Sequence, residues 1–181
     1  MNAEEIQKLK YPIGRFSKPD PITREDIDSW ITEIEALPGQ IKQLVGGLDE
    51  EKLNFRYRPE GWNIRQVVHH ITDSHFNSFV RFKLALTEND PVIKPYDQVS
   101  WADLPDGKTA DVNFSLLMLE GLHQRWLVLL RSMTPEQFDR TFKHPEREGI
   151  QKLSVNVGLY AWHGKHHLAH IKQALESGGK Y

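Results

Sequence analysis

Residues 61–87 read GWNIRQVVHHITDSHFNSFVRFKLALT. Ile64, Val67, Val68, Ile71, Phe79, Phe82 and Leu86 share one broad face at the helical period, which predicts an amphipathic helix that must bury that face against other elements. Asn63 marks its start: the side chain can accept from the first turn, and Gln66 stands where a reciprocal bond would form. The stripe runs out near Thr87, where the helix is expected to end.

The same signals recur on either side. Thr23 and Asp26 form the pattern of a capping box ahead of Ile27, Trp30, Ile31 and Ile34. Pro38-Gly39 is expected to kink or break this helix, because proline lacks an N–H and its ring crowds the preceding turn. Ile41, Leu44, Val45 and Leu48 resume the stripe, so the helix is predicted to restart and run to about residue 48. Downstream, Asp111 caps a third helix with Phe114, Leu117, Leu122, Trp126, Leu129 and Leu130 on its face, and Thr134-Pro135-Glu136-Gln137 starts a short further turn. A last helix is predicted from about residue 154 to Ser177, stopped by Gly178-Gly179. Residues 1–21 read as an irregular arm, Asp49 to Gly61 as a connection, and 140–153 as a loop or short hairpin. Residues 88–110, with Pro91, Pro95, Pro105 and Gly107, read as a long loop between the second and third helices, of a kind that often serves as a lid. The expected architecture is one all-α domain over residues 1–181, a four-helix bundle.

Composition narrows the function. The 181 residues carry 23 basic and 25 acidic side chains, a net charge of −2, so no overall field favours nucleic acid or an anionic membrane. There is no cysteine, which removes disulfides, thiolate ligands and a cysteine nucleophile together and leaves nitrogen and oxygen for any metal. The opening MNAEEIQKLK is polar and acidic, and no apolar run approaches the length of a membrane span, so a cytoplasmic location is expected.

The chemistry lies in the histidines. Of the nine, His69, His70 and His75 fall on the second helix and His163, His166, His167 and His170 on the last. Side chains four apart on a helix lie one above the other, about 5–6 Å apart at Cβ, and two imidazoles so placed can bite one ion. Leu168, Ile171, Leu175 and Gly164 define the core side of the last helix. His163 and His167 lie nearest to it, and His166 and His170 turn towards the boundary with solvent. A third ligand is expected from the second helix. Phase alone leaves His69, His70 and His75 open there, with His75 on the apolar face, His70 beside it and His69 further round.

Three segments, Gly61-Trp62-Asn63-Ile64-Arg65-Gln66-Val67-Val68-His69-His70, Tyr160-Ala161-Trp162-His163 with His167, and Tyr11-Pro12-Ile13-Gly14, together resemble the DinB superfamily and, more narrowly, its YfiT-like branch of metal-dependent hydrolases. The resemblance spans nearly the whole chain, including Lys94-Pro95-Tyr96-Asp97 in the long loop. It implies that the histidine eight residues after the tryptophan of the second helix joins the H-x-x-x-H pair of the last, which assigns His70, His163 and His167 as ligands. It further implies a four-helix bundle holding zinc or nickel, a homodimer, and a location in the bacterial cytoplasm.

Three imidazoles leave a fourth position for water or substrate, so hydrolysis of a small molecule is the first expectation. Thiol transfer onto an electrophile, as in bacillithiol transferases, is the second, since a bound thiol would ionise by the same means. A noncatalytic metal-binding stress-response module is the third. Gly164, Lys165 and His166 separate the paired histidines, so no H-E-x-x-H glutamate is at hand as general base. Asp73, His166 and His170 are candidates to orient a ligand or take a proton. His69, His75, His123 and His144 read as structural or surface residues, as do Trp30, Trp62 and Trp126. Tyr160 reads as a packed tyrosine, and Lys165, Lys172 and Glu176 as a solvated strip.

Overall fold

The computed structural model describes residues 1–146 and 149–181. The elements run α1 (Ala3–Lys10), α2 (Arg24–Val45), α3 (Glu50–Leu53), α4 (Ile64–Thr87), α5 (Gln98–Ala102), α6 (Pro105–Thr109), α7 (Val112–Ser132), α8 (Pro135–Phe138), β1 (Thr141–Lys143), β2 (Ile150–Lys152) and α9 (Leu153–Ser177). The long helices α2, α4, α7 and α9 form the four-helix bundle. α2 and α4 each pack against both α7 and α9, so these two successive long helices stand at opposite corners.

The predicted starts and stops carry the expected chemistry. Reciprocal capping boxes open α2 at Thr23 and Asp26 and α4 at Asn63 and Gln66. Asp111 accepts from the Asn113 N–H at the start of α7, and Gly178 closes α9 in the left-handed region at φ 60°, which glycine enters without a Cβ penalty.

Five expectations are corrected. Phe114 and Leu117, expected on the apolar stripe of the third helix, are exposed, because the buried face of α7 runs through Leu116, Leu119, His123, Trp126 and Leu130. α2 is one unbroken helix through Pro38 and ends at Val45, because Ile34, Leu37, Ile41 and Val45, on both sides of the proline, are buried along one face. The arm 1–21 is not wholly irregular: Ala3–Lys10 is helical, with a capping box between Asn2 and Glu5. The connection from Asp49 holds the single turn α3, capped by Asp49 itself. Residues 88–110 contain α5, capped by Asp97, and α6, entered at Pro105. The short hairpin exists, with Phe142 opposite Gln151 in antiparallel register; residues 147–148 of its connection lie outside the described residues.

The core is divided. One apolar cluster gathers Ile31, Phe79, Phe82, Trp126, Leu130 and Val157; another gathers Ile41, Val68, Ile71, Leu119 and Ile171. Between them the long helices contribute polar residues, among them His75, His123 and His167, all buried. Small residues bring α9 close to α2. A Cβ on Gly158 would stand 2.9 Å from the Trp30 ring, and one on Gly164 would stand 2.6 Å from Leu37. Among the described residues no helix is long and apolar enough to cross a membrane.

Candidate metal centre

His70 lies two turns into α4, and its ring meets those of His163 and His167 on α9 at centroid distances of 5.4 and 4.8 Å. One ring nitrogen from each of the three lies within 4.8 Å of the others, close enough for a single ion to reach all of them with a small adjustment of the rings. The structure thus brings together the three expected residues. Trp62, at the entry to α4, packs its ring 4.6 Å from that of His70, so the tryptophan that opens the helix also walls the site.

Burial sets the protonation of this cluster. His70 is pushed down to about 3, chiefly by desolvation with the neighbouring His166 adding to it. His167 is held well below the usual imidazole value, by burial first and by the surrounding histidines second. Both are therefore neutral at physiological pH and can present a lone pair, the state a metal requires. With imidazole nitrogens and no thiolate, the cluster offers the donor set that zinc, copper, iron and nickel all accept.

The other histidines divide. His69 bonds Ser115 Oγ at 2.7 Å and the Ala110 carbonyl at 3.3 Å, a structural tie between α4 and the start of α7. His144 accepts from the Glu146 N–H and falls outside the three-nitrogen cluster. His75 and His123 are fully buried, as a structural role requires, but His75 reaches to 3.4 Å from His163. His166 and His170 do not face solvent: they are 7% and 2% exposed, since Tyr11 and Trp162 flank the first and Tyr57 stacks on the second at 3.9 Å. The loop between α3 and α4, which carries Tyr57, and the N-terminal arm supply that cover, and helical phase alone contains neither. Asp73 is half-buried, its carboxyl raised to about 6 by desolvation and by Asp106, and it is not part of the cluster.

Two cavities meet at the site, sharing Gln98, Val99, Trp162 and His163. The smaller, about 440 Å³, is lined by Tyr11, Tyr57, Arg58, Trp62 and the histidines of the cluster. The larger, about 670 Å³, is lined by Ser74, Arg81, Tyr96 and Tyr160. The segment that starts α5 forms part of both walls, so the long loop does border the site. Arg81 is 7% exposed, and among the described residues it makes no ion pair; its Nη1 donates to the Tyr160 hydroxyl at 3.4 Å. Ser74 donates to the same hydroxyl and bonds Tyr96, whose own hydroxyl burial pushes up to about 12. Ser74, Arg81 and Tyr96 escaped the sequence reading because they belong to no spacing pattern. Tyr160 was read as packed, and its hydroxyl turns out to face this polar cluster.

The chain is similar to known proteins along most of its length. The family described as the DinB superfamily matches residues 33–171. A Bacillus cereus protein provisionally named a metal-dependent hydrolase is 56% identical over 166 residues, covering 92% of this chain and 95% of its own length. A similarly named Bacillus anthracis protein is 55% identical over the same span. The solved structure of YfiT from Bacillus subtilis, described as a probable metal-dependent hydrolase with an unusual four-helix bundle topology, superposes with a TM-score of 0.92 at 46% identity, covering 95% of this chain and 98% of that one.

Proposed function

The chain belongs to the DinB superfamily, and on that premise we propose that it is a metal-dependent hydrolase of a small molecule, working through one zinc or nickel ion held by His70, His163 and His167. The observation that carries the reading is the convergence of three ring nitrogens within 4.8 Å beside open cavities. When bound, a divalent ion with three imidazole ligands keeps an open position and supplies Lewis acidity, which acidifies water and polarises an electrophile.

The chain's own residues do the rest. Trp62 and Trp162 bound the space around the ligands, and the Tyr160 ring stands 5.5 Å from that of His163, where its hydroxyl can hydrogen-bond a reactant. A buried guanidinium without a carboxylate partner is costly; Arg81, which has none among the described residues, supports with the hydroxyls of Ser74, Tyr96 and Tyr160 a substrate that carries an anionic group. Transfer of a thiol to an electrophile is the second reading, supported by the two cavities that adjoin at His163 and give separate room to two reactants. The proposal extends to a homodimer, supported by the exposed apolar side chains of Phe114, Leu117 and Val128 along α7.

The test uses protein purified without a histidine tag. Elemental analysis should find about one transition metal per chain; His163→Ala should lose most of it, and His144→Ala should keep it. Equal retention by both variants would remove the ligand assignment. With the loaded protein, consumption of an activated anionic ester by water alone supports hydrolysis, and consumption that needs an added thiol supports transfer.

A further inference from the structure

A helical proline leaves one backbone carbonyl without its partner. Pro38 has no N–H, so the Ile34 carbonyl, four residues earlier in α2, lacks the bond an α-helix would supply from residue 38. His123 on α7 takes the place: its Nδ1 lies 2.7 Å from that oxygen. A carbonyl only accepts, so Nδ1 of His123 carries the proton and, in a neutral ring, Nε2 carries the lone pair. His75 Nδ1 lies 3.0 Å from His123 Nε2 and must donate to it, which leaves the lone pair of His75 on Nε2. His163 Nδ1 lies 3.4 Å from His75 Nε2 and donates in turn. In a neutral His163 ring this donation puts the lone pair on Nε2.

A second chain of the same logic reaches His167. The Lys10 carbonyl sits at the end of α1, where helix carbonyls lack intrahelical partners. His170 Nε2 lies 3.3 Å from it and donates, so His170 Nδ1 accepts from His167 Nδ1 at 3.3 Å. Again Nε2 is left with the lone pair. His75, His123, His167 and His170 are 0%, 1%, 6% and 2% exposed, so water competes little for the bonds of His123 to Ile34 and to His75 and of His167 to His170.

We propose that two backbone carbonyls, of Ile34 and Lys10, dictate which nitrogen of His163 and of His167 presents its lone pair to a metal, acting through the positioning residues His123 and His75 on one side and His170 on the other. The inference rests on reading the three-histidine cluster as a metal site, but it makes a statement about the metal-free chain. Ligand histidines with a fixed second bond hold their metal more tightly, and loss of such a partner typically costs about 10–100-fold in affinity.

The experiment is long-range proton–nitrogen correlation spectroscopy on metal-free protein labelled with 15N-histidine. Protons are expected on Nδ1 of His75, His123, His163 and His167 and on Nε2 of His170; a proton on Nε2 of either His163 or His167 overturns the proposal, whatever the catalytic outcome. Zinc affinity by chelator competition is the second readout. His170→Phe and His75→Phe should each weaken binding about 10–100-fold, with His75→Gln recovering part of the loss because its amide oxygen can accept from His163. Folded Phe variants that hold zinc as the unaltered protein does would also overturn it. Should His75→Phe fail to fold, the tautomers and His170→Phe decide.

Discussion

Seven histidines have their proton affinity depressed by burial, to about 3 for His70 and His170, to about 4 for His123 and His166, well below the usual value for His75 and His167, and below it for His69. In an unfolded chain each titrates near 6.5. Below that pH the unfolded chain binds protons that the fold refuses, so these groups contribute stability in full above about pH 6.5 and lose it as the pH falls towards 4. Asp73 acts with the opposite sign, its carboxyl raised from 3.8 to about 6, but it is one group against seven. The melting temperature of metal-free protein should therefore fall steadily from pH 7.5 to pH 5; a flat or rising profile would contradict the neutral cluster. At this scale the paired His163 and His167 were legible from spacing together with the phase set by Leu168, Ile171 and Leu175. His70 needed family resemblance, because three histidines on one helix span an arc that phase cannot divide. His170 was already a candidate to orient a ligand, but the roles of His75 and His123 were not legible, because they depend on the Ile34 carbonyl, an acceptor on another helix far away in the chain.

Pro38 is where an element departs most from its local rule. Proline inside a helix costs about 3 kcal/mol relative to alanine, and this one sits midway along α2 without breaking it. Its replacement separates stability from site organisation. Pro38→Ala should raise the melting temperature, while returning an N–H to compete with His123 for the Ile34 carbonyl. Zinc affinity should then fall several-fold although residue 38 is no ligand; unchanged affinity in a stabilised variant would show that His123 needs no orphaned acceptor. The long helices were readable because each carries both a stripe and a cap, as Asn63 and Gln66 do for α4. The single turns α3, α5 and α6 were not, since four or five residues are too few to show a period. The continuity of α2 escaped local reading too, because packing of Leu37 and Ile41 decides it.

On the scale of the whole molecule, the bundle hides its polar histidine layer and leaves apolar side chains outside. Phe114, Leu117 and Val128 on α7 are 68%, 67% and 73% exposed, and Phe76 on α4 is 44% exposed. Gly121, between them in sequence, has open space where a Cβ would be. Such a face in water marks an interaction surface, in keeping with the proposed homodimer. Light scattering should give twice the chain mass, and Leu117→Glu should reduce it to the monomer; a monomeric mass for the unaltered protein at tens of micromolar would refute the assembly. One contact has a practical corollary. The Lys10 carbonyl holds His170, and Gln173 Nε2 donates to the Leu9 carbonyl at 3.0 Å, so α1 is stitched to the back of α9 behind the ligand His167. A fusion tag or trimmed leader that unwinds those first ten residues would loosen an imidazole it never touches, and a preparation made that way would look like a weak metalloprotein through no fault of its ligands.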